Sequence, residues 1–197
     1  MNRRTGLLLL GLVGLGMLAW GSWIPLKGLL AQALLERAWA AGSATAAPRP
    51  WPWADTRPVG RLRVPRLGVD LIILAGDSGR TLAFGPGLAA GSAPLDRTGT
   101  HLVSGHRDTH FSFLGALRED DRIELERPDG SRRRYRVSGT AVVDARTTAF
   151  GADSDRLLLA TCWPLETPVP GGSLRYLVTA APLAPRASLP GAGAAVP

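Results

Sequence analysis

With 197 residues the chain has room for one ordinary globular domain once its N-terminal segment is set aside. A single cysteine, Cys162, excludes an internal disulfide. The net charge of +7 would suit a nucleic-acid partner, but it comes almost wholly from arginines spread along the chain, and the exported topology read below argues against that partner.

No charge occurs from Thr5 to Leu26, a stretch long enough to cross a hydrocarbon core of about 30 Å. Arg3 and Arg4 precede it, so the N-terminus stays on the cytoplasmic side and the remainder is exported, with Trp20 and Trp23 at the outer interface. A cleavable signal has an apolar core of roughly 7–15 residues followed closely by a small-residue site. Here the core is longer and Ala38-Trp39-Ala40 lies far beyond it, so residues 1–27 are read as an uncleaved signal-anchor with a single membrane pass.

Residues 28–58 come next. Helix formers fill 28–39, with Leu30, Leu34, Leu35 and Trp39 on one face, which predicts a short amphipathic helix lying on the membrane or on the domain. Residues 40–58 are rich in Ala, Ser and Pro and read as an extended spacer.

The domain is placed at 59–181. Leu62 and Val64 alternate with Arg61 and Arg63, Val69 to Leu74 is β-rich, and Ile123 and Leu125 alternate with charged neighbours. Pro128-Asp129-Gly130 marks a turn before Arg132-Arg133-Arg134, a solvated hairpin arm. Period two continues through Tyr135, Val137, Ala141 and Val143, with a bulge expected at Gly139. Helical turns are expected only near Arg80–Phe84 and Phe111–Leu117. Short strands at this spacing predict a mainly β domain, a barrel or a sandwich, between which periodicity does not choose. The tail at 182–197 is Ala/Pro/Gly-rich and expected to be disordered, and Leu189-Pro190-Gly191-Ala192-Gly193 within it is read as a chance likeness to a sorting signal.

The apolar run Leu157 to Cys162 is closed by Trp163-Pro164, so it reads as a buried strand ending at the thiol. Leu174-Arg175-Tyr176-Leu177-Val178 reads as a second strand. If the two pair across 164–173, Cys162 and Arg175 meet at one end of a hairpin. Upstream, Ser104-Gly105-His106-Arg107-Asp108-Thr109 sets a histidine just past a strand at a Gly-marked turn. In this order the three segments resemble the cysteine, histidine and arginine boxes of the sortases, the cysteine transpeptidases that join proteins bearing a C-terminal sorting signal to surface acceptors. The cysteine box, Leu158-Leu159-Ala160-Thr161-Cys162, departs from the family's Thr-Leu-x-Thr-Cys at Leu158. The phrase running from Ser104 to Phe111 is most similar to sortases of Gram-negative bacteria.

That resemblance implies a closed eight-stranded β-barrel with short helices behind one transmembrane helix. It also implies an inner-membrane location with the catalytic domain on the periplasmic side. The expected partners are exported proteins carrying a signal like Leu-Pro-x-Thr-Gly, with an amine acceptor that the sequence leaves open and no cofactor.

A thiol that titrates near about 8.5 needs a base or a nearby cation to attack a carbonyl. Cys162 is accordingly read as nucleophile and His106 as the group that moves the proton. Arg175 is read as donor to the oxyanion or to a substrate carbonyl. The Trp163 N–H is available as a further oxyanion donor. Asp108 is a candidate to orient His106, with a turn-stabilising bond as the alternative, and Thr161 is more structural than catalytic. His101, His106 and His110 were weighed as a zinc set, but the His-x₃-His spacing wants a helix and the segment reads as a loop, so no metal is expected. An exported cysteine peptidase and a non-catalytic peptide-binding module are the rival readings.

Overall fold

Alternation of apolar and polar side chains lets one face of each strand fill an interior while the other meets solvent. On β1 (Pro58–Val64) Leu62 and Val64 are buried and Arg61 and Arg63 are not. The computed structural model describes residues 11, 12, 14, 17, 26, 28–42, 47–151, 154–167 and 172–184. Most of the expected membrane helix and nearly all of the expected disordered tail lie outside these residues. Among the described residues no helix is long and apolar enough to cross a membrane.

Seven further strands follow: β2 (Val69–Ala75), β3 (Gly87–Leu88), β4 (Thr100–Ser104), β5 (Arg122–Glu126), β6 (Arg132–Asp144), β7 (Arg156–Cys162) and β8 (Leu174–Pro182). They close into a barrel in the order β1-β2-β3-β4-β7-β8-β6-β5, so the architecture is the barrel and not the sandwich. β2 with β3 and β4 with β7 are parallel; the other neighbours are antiparallel. The interior is filled by side chains that include Leu62, Ile73, Val103, Ile123, Leu125, Tyr135, Leu157, Leu159 and Val178. The β6–β8 register shifts between Val137 and Gly139, where the bulge was expected.

The β5–β6 turn is closed by Arg127 N donating to Ser131 O at 2.9 Å, with Gly130 at a φ of 78°. On the outer wall Arg132, Arg134 and Arg136 pair with Glu126, Glu124 and Asp120, which makes this run the solvated arm that its composition suggested. Cross-strand pairs of this exposure contribute little individually.

Helix α1, residues 28–40, lies on the barrel. Its buried positions are Ala31, Leu35 and Ala38, spaced by four and three residues, while Leu30 is 58% exposed. Leu35 packs with Ile72 and Leu74 of β2, and Trp39 and Phe84 pack against them. Gln32 Nε2 donates to Phe84 O at 2.7 Å, and Glu36 pairs with Arg61 at 2.9 Å. The contact stripe is therefore centred on small residues and Leu35 rather than on the leucine face that hydrophobicity alone picks out.

Residues 47–57 differ from the extended spacer expected of them. They carry no helix or strand, yet Ala47, Ala54 and Thr56 are buried, and Trp51 meets Phe84 edge-on with centroids 5.1 Å apart. Thr56 Oγ1 donates to Ala75 O at 2.8 Å, and Ala75 N donates to Arg57 O at 2.9 Å, which leads this segment directly into β1. Phe84 thus holds both α1 and the following segment next to α2 (Gly79–Leu82).

Because Leu35 is 1% exposed, Leu35→Ala is expected to lower the unfolding free energy by about 2–4 kcal/mol. Leu29→Ala, at a site 70% exposed, should leave it unchanged. Urea unfolding of the two variants side by side checks this.

Candidate active site

The parallel pairing of β4 with β7 runs from Thr100↔Arg156 to Ser104↔Ala160, so the C-terminal ends of both strands reach the same rim. Two residues beyond that last rung stand His106 and Cys162. β8 then returns antiparallel to β7 and puts Arg175 opposite Cys162, the hairpin rung anticipated from sequence. All three side chains line one open groove of about 440 Å³. Leu82, Leu102, Val143, Phe150 and Leu177 supply its apolar wall, and Asp77, Ser104 and Thr148 its polar positions.

The histidine loop is tied to β7 from both sides of Gly105. Gly105 N donates to Ala160 O at 3.0 Å, and the Gly105 carbonyl accepts from Thr161 Oγ1 at 2.8 Å. Thr161 is 2% exposed, and its hydroxyl acts as a buried bracket on the Gly105 carbonyl. A Cβ on Gly105 would lie 2.6 Å from the Phe111 ring, which explains why only glycine fits there. Phe111 N donates to His106 O at 3.0 Å and closes the loop on itself.

Arg107, which sequence reasoning passed over, is 6% exposed. Its Nη1 donates to Pro164 O at 2.6 Å, joining the histidine loop to the connection that follows Cys162. Of the two roles left open for Asp108, orienting His106 or stabilising the turn, its contacts fit the second. It is 72% exposed and pairs with Arg107 Nε at 3.1 Å, so it serves the turn. Nothing in its sequence neighbourhood distinguishes those two roles, because an acid two positions from a histidine has both within reach.

The Trp163 N–H is also not available as an oxyanion donor. It is engaged with Leu174 O at 3.1 Å, as the first hairpin bond after the Cys162–Arg175 rung. Arg175 Nη1 donates to Gly172 O at 2.7 Å and Leu174 O at 2.8 Å, which fixes the guanidinium plane. No described residue bonds its Nε or Nη2, so these donors are left for a bound group. Trp163 stacks on Tyr176 with centroids 5.9 Å apart and braces the same end of the hairpin.

The three histidines do not gather. His101 is fully buried inside the barrel, with Nδ1 3.0 Å from Ala93 O, and desolvation holds its imidazole below the ordinary range. His110 is likewise held low, first by burial and then by the charge of His106, but it is not among the groove-lining residues. Among the described residues no cluster of His, Cys, Asp and Glu has the makeup of a metal site.

A family model for the sortase domain matches residues 62–183, over half of the chain and the whole of this groove. The chain belongs to the sortase family. It is 30% identical over 122 residues to sortase D of Bacillus subtilis strain 168, a match covering 60% of this chain and 61% of that protein. The chain therefore spans about three fifths of that relative's length. Among solved structures, sortase A of Corynebacterium diphtheriae is similar at 28% identity and a TM-score of 0.57, covering 67% of this chain and 63% of that one. A sortase D5 transpeptidase of Clostridium perfringens shares the fold at 16% identity and a TM-score of 0.61, over 79% and 99% of the two chains. The barrel fold is thus shared with both of these solved structures.

Thr161→Val keeps the shape of the side chain but leaves the Gly105 carbonyl without its donor. It is expected to lower stability by about 1–3 kcal/mol, read by denaturant unfolding, and to speed amide exchange at Gly105.

Proposed function

We propose that this chain is a membrane-anchored cysteine transpeptidase that cleaves a C-terminal sorting signal of exported proteins and passes the acyl group to an amine. The observation that carries the reading is the convergence of Cys162, His106 and Arg175 on one open groove, with Cys162 and Arg175 on the same rung. In the reaction, the Cys162 thiolate attacks the scissile carbonyl and the C–N bond breaks. The leaving amine takes its proton from His106, and a thioester remains on Cys162. The acceptor amine then attacks the thioester, gives a proton to His106, and releases the thiolate. Negative charge on the carbonyl oxygen is met by Nε and Nη2 of Arg175, whose orientation is already set by its two backbone bonds.

Three finer parts of the proposal rest on the sequence. The uncharged run from Thr5 to Leu26 behind Arg3 and Arg4 supports a single-pass anchor with the barrel outside the cytoplasm. The phrase from Ser104 to Phe111 supports a place with the Gram-negative sortases, and hence an inner-membrane location facing the periplasm. The substrate signal is proposed to be of the Leu-Pro-x-Thr-Gly kind. On this reading the full chain is expected in the membrane fraction of expressing cells and to resist extraction by carbonate. Recovery in the soluble fraction would overturn the anchor.

The deciding experiment is incubation of the detergent-solubilised chain with sorting-signal peptides and a panel of amines, followed by mass spectrometry. A peptide-derived adduct on Cys162 together with an amide product is the expected result. Free acid as the sole product would instead make the enzyme a peptidase, and bound but uncleaved peptide would make it a binding module. Cys162→Ala should form no adduct while remaining folded. Arg175→Lys should lower kcat/KM by at least about 100-fold, because a point ammonium does not reproduce two fixed guanidinium donors.

A further inference from the structure

One charged residue of the groove has no part in the acyl-transfer scheme. Asp77 lies in the turn between β2 and α2, and that turn is held on several sides. Gly76 has a φ of 77°. A Cβ on Gly87 would come 2.1 Å from Gly76 O and 3.0 Å from Asp77 Cα, so the neighbouring strand clamps the backbone. Ser78 caps α2 by accepting from Thr81 N at 3.2 Å. The Asp77 side chain meets the groove floor through Ser104, whose Oγ donates to Oδ2 at 3.3 Å.

Ser104 pairs in register with Ala160; Cys162 stands two residues further along β7, His106 two residues past the end of β4, and all four line the groove. At a strand rise of about 3.3 Å per residue, the Ser104–Ala160 rung lies about 7 Å from the reacting groups. An extended peptide laid along β7 towards that rung has the same pitch, so a side chain about two residues from its scissile bond would come alongside Asp77. Asp77 is the sole carboxylate among the residues lining the groove, whose other ionisable groups are His106, Cys162 and Arg175. No arginine among the described residues pairs with it. The carboxylate is half-buried in the groove that Leu82 and Leu102 also line, its Oδ2 accepts from the Ser104 hydroxyl, and no described residue bonds Oδ1, which leaves that oxygen for a cation.

We propose that Asp77 is a specificity-determining residue that binds a cationic group, an ammonium or guanidinium, carried across the groove by the substrate. The inference rests on the peptide-processing role proposed above and adds a charge preference to it. The cation has two sources, a basic side chain of the acyl donor or the protonated amine of the acceptor. Their chemistry at the carboxylate is the same.

The test separates binding from turnover by using the full chain with Cys162→Ala. In the donor arm, anisotropy is read with labelled Leu-Pro-Lys-Thr-Gly, Leu-Pro-Met-Thr-Gly and Leu-Pro-Glu-Thr-Gly peptides. In the acceptor arm, triglycine and N-acetyl-triglycine are titrated calorimetrically in the presence of the Met peptide. The cationic probe is expected to bind about three- to tenfold more tightly than its neutral counterpart in one arm, and that arm names the source. Adding Asp77→Asn should bring the ratio close to one, Asp77→Glu should retain most of it, and added salt should reduce it. A ratio unchanged by Asp77→Asn in both arms, or no charge preference in either arm before Asp77 is altered, overturns the proposal. Absence of any Cys162 adduct with the unaltered protein would count against transpeptidation alone, since the binding ratios are measured without the thiol.

Discussion

The site depends on one pairing, β4 alongside β7 in parallel. Residues 56 positions apart in the chain are joined there by Thr161 Oγ1 donating to Gly105 O. Parallel strands end on the same side of a sheet, so each contributes the residues just past its last rung to a common rim. His106 and Cys162 are such residues, and the β7–β8 hairpin brings Arg175 in opposite the thiol. Gly105 and Thr161 convert this shared rim into a fixed one. The glycine lets Phe111 seal the loop from beneath, and the buried hydroxyl holds the carbonyl that precedes His106.

A second layer of structure lies outside the barrel and reaches the groove indirectly. Helix α1 and the segment at 47–57 both converge on Phe84, just past α2, and α2 contributes Leu82 to the groove. The ion pair between Arg80 and Asp55 joins the same pieces, although with Arg80 78% exposed it adds little by itself. The packing of Leu35 against Ile72 and Leu74 is the larger contribution, since it removes apolar surface on the outward face of β2 from water. The chain leading away from the barrel is therefore held near α2 before it departs.

Much of this was legible in the residues. Period two located most strands, Pro164 ended β7 at Cys162, and the apolar run around Arg175 fitted the hairpin that forms. Barrel closure was not legible from pattern, because alternation records which face is buried and says nothing of which strand lies beside it; the family resemblance carried that part. β3 has only two residues and leaves no periodic trace. The docking face of α1 was legible in part: Leu35 and Trp39 pack as expected, whereas Leu30 is exposed and Ala31 and Ala38, which hydrophobicity scales undervalue, are buried. Asp108 and the Trp163 N–H were assigned by sequence proximity to the reacting residues, and each was engaged by a nearer partner. Asp77 gave no signal, since Gly76-Asp77-Ser78-Gly79 reads as an ordinary turn, and its place in the groove exists only once β2 and β4 are brought together across β3.

On the proposed role, closure of the eight strands would also restrict how a peptide is held. A sheet with an open edge binds extended peptides by lengthening its own ladder, and the main chain then supplies affinity with little regard to sequence. Here every strand has neighbours around the circuit, so rows of unpaired backbone groups are confined to the stretches that short neighbours leave uncovered: β2 beside the two-residue β3, and β6 beyond its pairing with β5. On the peptide-processing role proposed above, discrimination would fall to groove side chains such as Leu82, Phe150 and Arg175. A peptide held by its main chain on one of those uncovered stretches would still need the right residues in the groove to stay near the thiol.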